Sequence, residues 1–171
     1  MKRLTALLHL LADGRFHSGN ELGKQLGITR SAVWQQMSEC ESLGITVDSV
    51  KGRGYRIPDG LQLLDVDIIQ QQLNTQPFSL EVLTTIDSTN TYLSQRLLQE
   101  AGSPRVVLAE HQSNGRGRGQ ARWLSPFAST IALSLSWQLQ RDLSQLQGLS
   151  LAVAVMVKQA LSSIGVNDIQ C

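Results

Sequence analysis

The sequence predicts an α+β chain in two parts, and three observations predict it. Leu4, Leu7, Leu8 and Leu11 recur at helical spacing, and two capped helical segments follow them. After Gly44 the apolar period changes from helical to alternating. Beyond Pro58-Asp59-Gly60, helix-like and strand-like segments interleave. The break at Gly60 sets the expected boundary: one domain over residues 1–60 and a second over residues 61–171.

Of the 171 residues, 42% are hydrophobic, enough for a core, and the net charge of +1 gives no global polyelectrolyte signal for nucleic acid or membrane. Cys40 and Cys171 form neither a disulfide framework nor a metal site, which suggests a reducing cytosol. The start, MKRLTALLHLLADG, imitates a signal peptide, but it carries Thr5 and His9 and lacks a small-residue cleavage site, so an amphipathic helix is favoured. The apolar run LSLAVAVMVKQALSSI carries Lys158 and is shorter than the ~20 residues a membrane span needs, so a buried helix over 149–164 covering the sheet is expected.

The elements of the first part follow in order. Leu4 to Ala12 is the first helix. Ser18 with Glu21 three residues on is a capping box for the second, which Gly27 ends. Thr29 can cap a third helix whose inner face is Val33, Met37, Cys40 and Leu43 and which Gly44 stops. Ile45 and Val47, then Tyr55 and Ile57, alternate as two strands joined by the basic turn Lys51-Gly-Arg53-Gly. This order is that of a winged helix-turn-helix, in which the third helix enters the major groove and the wing touches backbone. Thr29, Arg30, Ser31, Trp34 and Gln35 are the candidate DNA-reading residues, and Lys51 and Arg53 the candidate phosphate contacts. Residues 1–60 hold eight Lys and Arg against six Asp and Glu, a net +2, so a monomer is expected to bind DNA weakly and a dimer better. A helical module for protein contacts is the alternative, and Trp34 on the outer side is either a contact residue or packs on the first helix.

In the second part, Asp65 caps a helix DVDIIQQQL, SLEVLTTI reads as a strand, and DSTNTYLSQRLLQEAG is a helix with caps among Asp87, Ser88, Thr89 and Asn90. PRVVLAEHQ is a strand. STIALSLSWQL alternates Ile131, Leu133, Leu135, Trp137 and Leu139 against a Ser- and Gln-rich face that can be polar or line a pocket. Between these strands lies HQSNGRGRGQARW. Its glycines let backbone approach a ligand closely, and its arginines offer charge-assisted bonds to carboxylate or phosphate. No helix follows directly, as a dinucleotide fingerprint requires, and no Walker lysine is present. A solvated surface loop is the other reading. His9, His17 and His111 are scattered and suggest no ligand set.

A winged helix-turn-helix, then Ser88-Thr89-Asn90 with Tyr92-Leu93, then Ala109-Glu110, Gln112, Gly115-Arg116-Gly117-Arg118, Trp123 and Ser125-Pro126, resembles the bifunctional biotin protein ligases that serve as biotin operon repressors in bacteria. The resemblance runs over the whole chain. It implies a class II synthetase-like mixed sheet and the joining of biotin and ATP into biotinyl-5′-adenylate, with Mg2+ accompanying ATP. It implies transfer of biotin to a lysine of the biotin carboxyl carrier protein of acetyl-CoA carboxylase. It also implies homodimerisation of the adenylate-bound protein on operator DNA, with no membrane role. Ser88, Thr89, Asn90, Gln112 and Gly115 to Arg118 match the family's biotin pocket. Arg118 and Trp123 match its adenylate-binding residues, and Arg116 and Arg118 its catalytic arginines. Ala121 stands where relatives carry a basic residue. The chain stops before the family's KWPND motif and its C-terminal SH3-like barrel, which implies a truncated ligase with impaired adenylate synthesis. A transcription regulator with a non-catalytic biotin-adenylate-sensing domain is the alternative.

Overall fold

The computed structural model describes the chain except residues 1, 74–77, 100–103, 118, 120, 122, 139–141, 143–145 and 169–171. It divides into two compact units, residues 1–137 and 138–171.

Three helices open the larger unit: α1 (Lys2–Leu11), α2 (Gly19–Leu26) and α3 (Arg30–Ser42). Their ends are made by the residues that chemistry favours there. Ser18 Oγ accepts from Glu21 N at 3.1 Å, and Thr29 Oγ1 accepts from Ala32 N at 3.2 Å. Gly27 adopts φ 63°, so its N–H can turn back onto the last carbonyls of α2. Leu4, Leu7, Leu8 and Leu11 of α1 form the core with Leu22, Val33, Met37, Cys40, Ile45 and Ile57. Each such side chain contributes roughly 1.5–3 kcal/mol of transfer free energy. The Cys40 thiol is pushed up to about 11 chiefly by burial, which keeps it protonated and unreactive.

A hairpin follows, β1 (Asp48–Val50) and β2 (Gly54–Arg56), antiparallel with Ser49 opposite Tyr55. Residues 51–53 turn the chain, and Gly52 sits at φ 82° in that turn. His17, between α1 and α2, exchanges two 2.9 Å backbone hydrogen bonds with Tyr55 and adds a third rung to the wing. That pairing demands glycine at 54: a Cβ there would lie 2.0 Å from the His17 carbonyl oxygen.

The sheet that follows has the order β3-β4-β5: β3 (Ser79–Leu83), β4 (Arg105–Ala109) and β5 (Ala132–Ser136). β3 and β4 are parallel and β4 and β5 antiparallel, so the sheet is mixed. Central β4 buries Val107, Leu108 and Ala109. Before the sheet comes α4 (Val66–Gln72), capped by Asp65 Oδ1. Between its first two strands comes α5 (Thr89–Gln99), where Thr91 N donates to Ser88 Oγ.

β5 turns its serine face inward. Ala132 is buried, Ser134 and Ser136 are half-buried, and Ile131, Leu133, Leu135 and Trp137 are each more than half exposed, while Leu139 lies outside the described residues. The residues that look like the core face from their alternation are the outer ones, because small Ala and Ser side chains admit α5 and neighbouring loops on the other side. In the smaller unit, α6 (Leu149–Ser163) forms as expected, but none of its residues is buried, contrary to the burial its composition suggests.

Long-range contacts tie the sheet to the helical core, among them the hydrogen bond between Thr5 Oγ1 of α1 and Thr84 Oγ1 just past β3. Phe127, 6% exposed, lies within the core cluster of α1–α3. Glu110, at the end of β4, is buried; its Oε1 accepts from Leu64 N, its N–H donates to Leu83 O, and its carbonyl accepts from Ala128 N. Burial raises the Glu110 carboxyl above its ordinary value, opposed by the Leu64 hydrogen bond and by His9.

Phe127→Ala is expected to cost about 3–5 kcal/mol in chemical denaturation, as for a fully buried aromatic. Because the folded-state pKa of Glu110 is raised, its protonated form is favoured in the fold, and the stability linked to it is lost as pH rises through that value. Glu110→Gln, which keeps the acceptor for Leu64, is expected to raise Tm at pH 7 by a few degrees and not at pH 4. An equal shift at both pH values would contradict the assignment.

Candidate functional site

The parallel pairing continues past the ends of β3 and β4. Ile86 N donates to His111 O at 3.1 Å, Ser113 N to Ile86 O at 2.9 Å, and Asn114 N to Asp87 O at 2.9 Å. This register carries the first turn of α5 to the side of Gln112. A cavity of about 470 Å³ opens there, lined by Ser88, Thr89, Asn90, Thr91, Gln112, Arg116, Trp123, Ile131, Ala132, Leu133 and Ser134. Six of the residues singled out in the sequence thus come together from two segments, 88–90 and 112–123, beside the start of β5.

Their polar groups form one network. Gln112 Oε1 accepts from Thr89 N at 2.8 Å and from Thr89 Oγ1 at 3.1 Å. Thr89 Oγ1 in turn accepts from Ser134 Oγ at 2.9 Å. With its oxygen doubly engaged, Gln112 keeps the Nε2 donors for the Gly115 side of the cavity. Ser88 Oγ accepts from Thr91 N, so its own hydroxyl proton is left to donate. Buried Ser88 and Thr89, together with Ala132, make the interior wall, and Trp123 and Leu133 an apolar, half-open rim. The lining suits a small ligand with both an apolar body and convergent donor and acceptor groups.

Two backbone hydrogen bonds join the described residues on either side of the Gly-Arg segment as a hairpin stem. Gly117 N donates to Ala121 O at 2.8 Å, Trp123 N donates to Gly115 O at 3.1 Å, and Gly119 takes φ 66° near the tip. The glycines are needed for packing: a Cβ on Gly115 would lie 3.1 Å from Trp123 Cβ and Cδ1, and one on Gly117 3.1 Å from Ala121 O. Arg116 lines the cavity, whereas Arg118 lies outside the described residues. Behind the site, Gln112 N donates to Ser125 Oγ at 3.4 Å, Ser125 Oγ pairs with Thr130 Oγ1 at 3.0 Å, and His111 Nδ1 meets Ser125 O at 2.6 Å. Sequence reasoning missed Ser134 and Ser125 individually. The serine-rich face of β5 was the available signal for Ser134, and the Ser-Pro-Phe string for Ser125.

A second surface lies on the helical part. Arg30, Ser31, Trp34, Gln35 and Ser38 are exposed along α3, and Trp34 is 64% exposed rather than packed on α1. Thr29 spends a lone pair on its cap and meets Ser31 Oγ at 3.3 Å. Lys51 and Arg53 stand exposed on the hairpin turn. Between wing and helices is a cleft of about 510 Å³ lined by Ser18, Asn20, Arg30, Ser49 and Lys51 among others. Basic side chains at both edges of a cleft beside an exposed helix face match what a duplex backbone and groove require.

Comparison with known proteins finds matches in both parts of the chain. Residues 3–56 match an HTH domain, and residues 82–171 match the biotin/lipoate A/B protein ligase family. The chain is 39% identical over 164 residues to the bifunctional ligase/repressor BirA of Salmonella typhimurium, covering 96% of this chain and 50% of that one. It is 38% identical, with the same coverage, to the bifunctional ligase/repressor BirA of Escherichia coli K12. Over 74 residues it is 35% identical to a biotin–protein ligase of Schizosaccharomyces pombe, covering 41% of this chain and 12% of that one. The chain spans about half the length of the bacterial relatives it matches. With a ligase match that takes in more than half of its residues, the chain belongs to the biotin/lipoate A/B protein ligase family.

Proposed function

We propose that this chain carries the biotin and adenylate pocket of a biotin protein ligase, joined to a winged helix-turn-helix that binds operator DNA. The observation that supports it is the cavity that gathers Ser88, Thr89, Asn90, Gln112, Arg116 and Trp123. Biotin has an apolar bicyclic body, a ureido group that both donates and accepts, and a carboxylate tail. Ser88, Gln112 Nε2 and the Thr89–Ser134 pair would meet the ureido group, and Trp123 and Leu133 the apolar body. Arg116 and Arg118 would hold carboxylate and phosphate on the side of the Gly-Arg segment.

In the reaction proposed, the biotin carboxylate attacks the α-phosphorus of ATP and pyrophosphate leaves. The ε-amine of a lysine on the biotin carboxyl carrier protein then attacks the anhydride carbonyl and AMP leaves. The first step brings two anions together, and arginines placed before the encounter offset that repulsion without reorganising. Trp123 over the hairpin would keep water from the anhydride. Mg2+ would accompany ATP and offset the charge of its phosphates.

The same reading places the DNA-binding domain at residues 1–60, with Thr29, Arg30, Ser31, Trp34 and Gln35 toward bases and Lys51 and Arg53 toward phosphates. Residues 61–171 would be the N-terminal part of a class II synthetase-like catalytic domain. The adenylate-bound protein would dimerise on its operator and act as repressor in the cytoplasm.

Calorimetric titration with biotinyl-adenylate tests the pocket directly, without requiring turnover. The expected outcome is binding that weakens about tenfold in Thr89→Val, which strips one donor from Gln112 Oε1. In Arg116→Ala or Arg118→Gly binding should fall roughly tenfold to a hundredfold, the value of a bond to a charged group. Absence of binding by the folded, unsubstituted chain would overturn the pocket assignment. In Gly115→Ala the new Cβ meets Trp123, so affinity is expected to drop while the melting temperature stays within a few degrees. Unchanged affinity there would mean that Trp123 does not cover the ligand.

A further inference from the structure

Phe16 is a large aromatic in the short segment between α1 and α2, yet it is only half-buried and is absent from the helical core cluster. What it touches is charge. The Arg53 guanidinium carbon lies 4.1 Å from its ring centroid and that of Arg56 4.7 Å, both within cation–π range. The two arginines are not equivalent. Arg56 Nε is paired with Asp48 Oδ2 at 2.9 Å across the hairpin. Among the described residues no carboxylate pairs with Arg53, which stands exposed at the wing turn.

The ring is itself held. Its neighbour His17 exchanges two 2.9 Å backbone hydrogen bonds with Tyr55 of β2. Asp13 Oδ1 accepts from Arg15 N and from His17 Nε2, each at 2.9 Å, and so braces the segment from the other side. Gly54 admits this approach, since any Cβ there would strike the His17 carbonyl. The wing, the Phe16 segment and the arginine at the tip therefore form one braced unit. A free arginine side chain loses rotamer entropy when it grips a phosphate, whereas one already laid on a ring has lost part of it beforehand.

We propose that Phe16 is a positioning residue for DNA binding: its ring holds the unpaired Arg53 guanidinium at the wing turn, ready for one backbone phosphate, while Asp48 occupies Arg56. The proposal rests on the DNA-binding reading of the winged helix given above. Phe16 itself touches no nucleic acid in it.

The test is binding of the full chain to a short duplex of arbitrary sequence, followed by fluorescence anisotropy across a salt series, since the phosphate contribution needs no operator. Phe16→Leu is expected to weaken binding roughly threefold to tenfold, the effect of one rotamer-rich side chain left to be ordered on binding. The slope of log affinity against log salt should stay unchanged, because no phosphate contact is removed. Arg53→Gln should reduce that slope by about one. In the Arg53→Gln background, Phe16→Leu should cost nothing further, and Phe16→Tyr should retain the unsubstituted affinity. Should Phe16→Leu not fold, Phe16→Met is read in its place, and Phe16→Tyr supplies the folded comparison. A loss of the same size with and without Arg53 means a general structural role and overturns the proposal, as does no loss at all. If the folded, unsubstituted chain shows no salt-dependent binding to duplex, the DNA-binding reading fails and the proposal with it.

Discussion

The larger unit depends on the burial of one side chain, Phe127, in a core otherwise built from α1, α2, α3 and Ile45 and Ile57, which flank the wing strands. The residue follows the Gly-Arg hairpin by only a few positions. Seating it fixes Ser125 two residues earlier, where its hydroxyl meets Gln112 N and its carbonyl meets His111. It also fixes Ala128 one residue later, whose N–H donates to Glu110 O. Glu110 then holds the segment leaving the wing through Leu64. A single apolar insertion thereby sets the backing of the candidate pocket, because the polar contacts around it are short-range and follow the position of the chain.

Given that backing, the pocket needs little else to be rigid. Thr89 belongs to α5, Gln112 to the run after β4, and Ser134 to β5, and their side chains share one hydrogen-bonded chain. Each link removes a freedom: the amide of Gln112 cannot flip without losing two donors, and Thr89 cannot rotate without losing Gln112 and Ser134. A network whose inner members are held by one another presents its remaining donors, among them Gln112 Nε2, in fixed directions. Ligand selectivity of the kind proposed rests on that orientation more than on cavity volume.

Local features were legible in the sequence where the cause is local. The caps at Ser18, Thr29 and Asp65, the stop at Gly27 and the hairpin with its glycine turn all rest on backbone chemistry within a few residues, and the structure has them. The inner face of α3 was legible from its spacing, which left Trp34 outside. The candidate site was legible as motifs, since six of those residues line one cavity, but their hydrogen-bond partners were not. Ser134 sits on a face that alternation alone marks as the solvent side. The choice between the two faces of β5 was made by what could fit beside α5, and small residues won over Leu133 and Leu135. Phe127 left no periodic signal, because its partners lie about a hundred residues away in sequence. The apolar composition of α6 suggested burial, yet composition states only a preference for covering, and no residue of that helix is buried.

Both candidate binding surfaces solve one electrostatic problem by the same means. A chain of net charge +1 cannot attract anions globally, so it must present positive charge locally, and an arginine on a free stem is a poor device because ordering it opposes binding. At the wing, Gly54 lets His17 pair closely with Tyr55, and the adjoining Phe16 ring underlies Arg53. At the pocket, Gly115 lets Trp123 close over the hairpin stem, next to Arg116. In each case a glycine removes the Cβ that would keep two chain segments apart, the approach brings an aromatic ring into place, and an arginine stands next to the glycine in sequence, before Gly54 at the wing and after Gly115 at the pocket. Glycine at these positions is therefore a condition for where the charge stands, and the spacing of Gly and Arg in both segments reads as geometry rather than as flexibility.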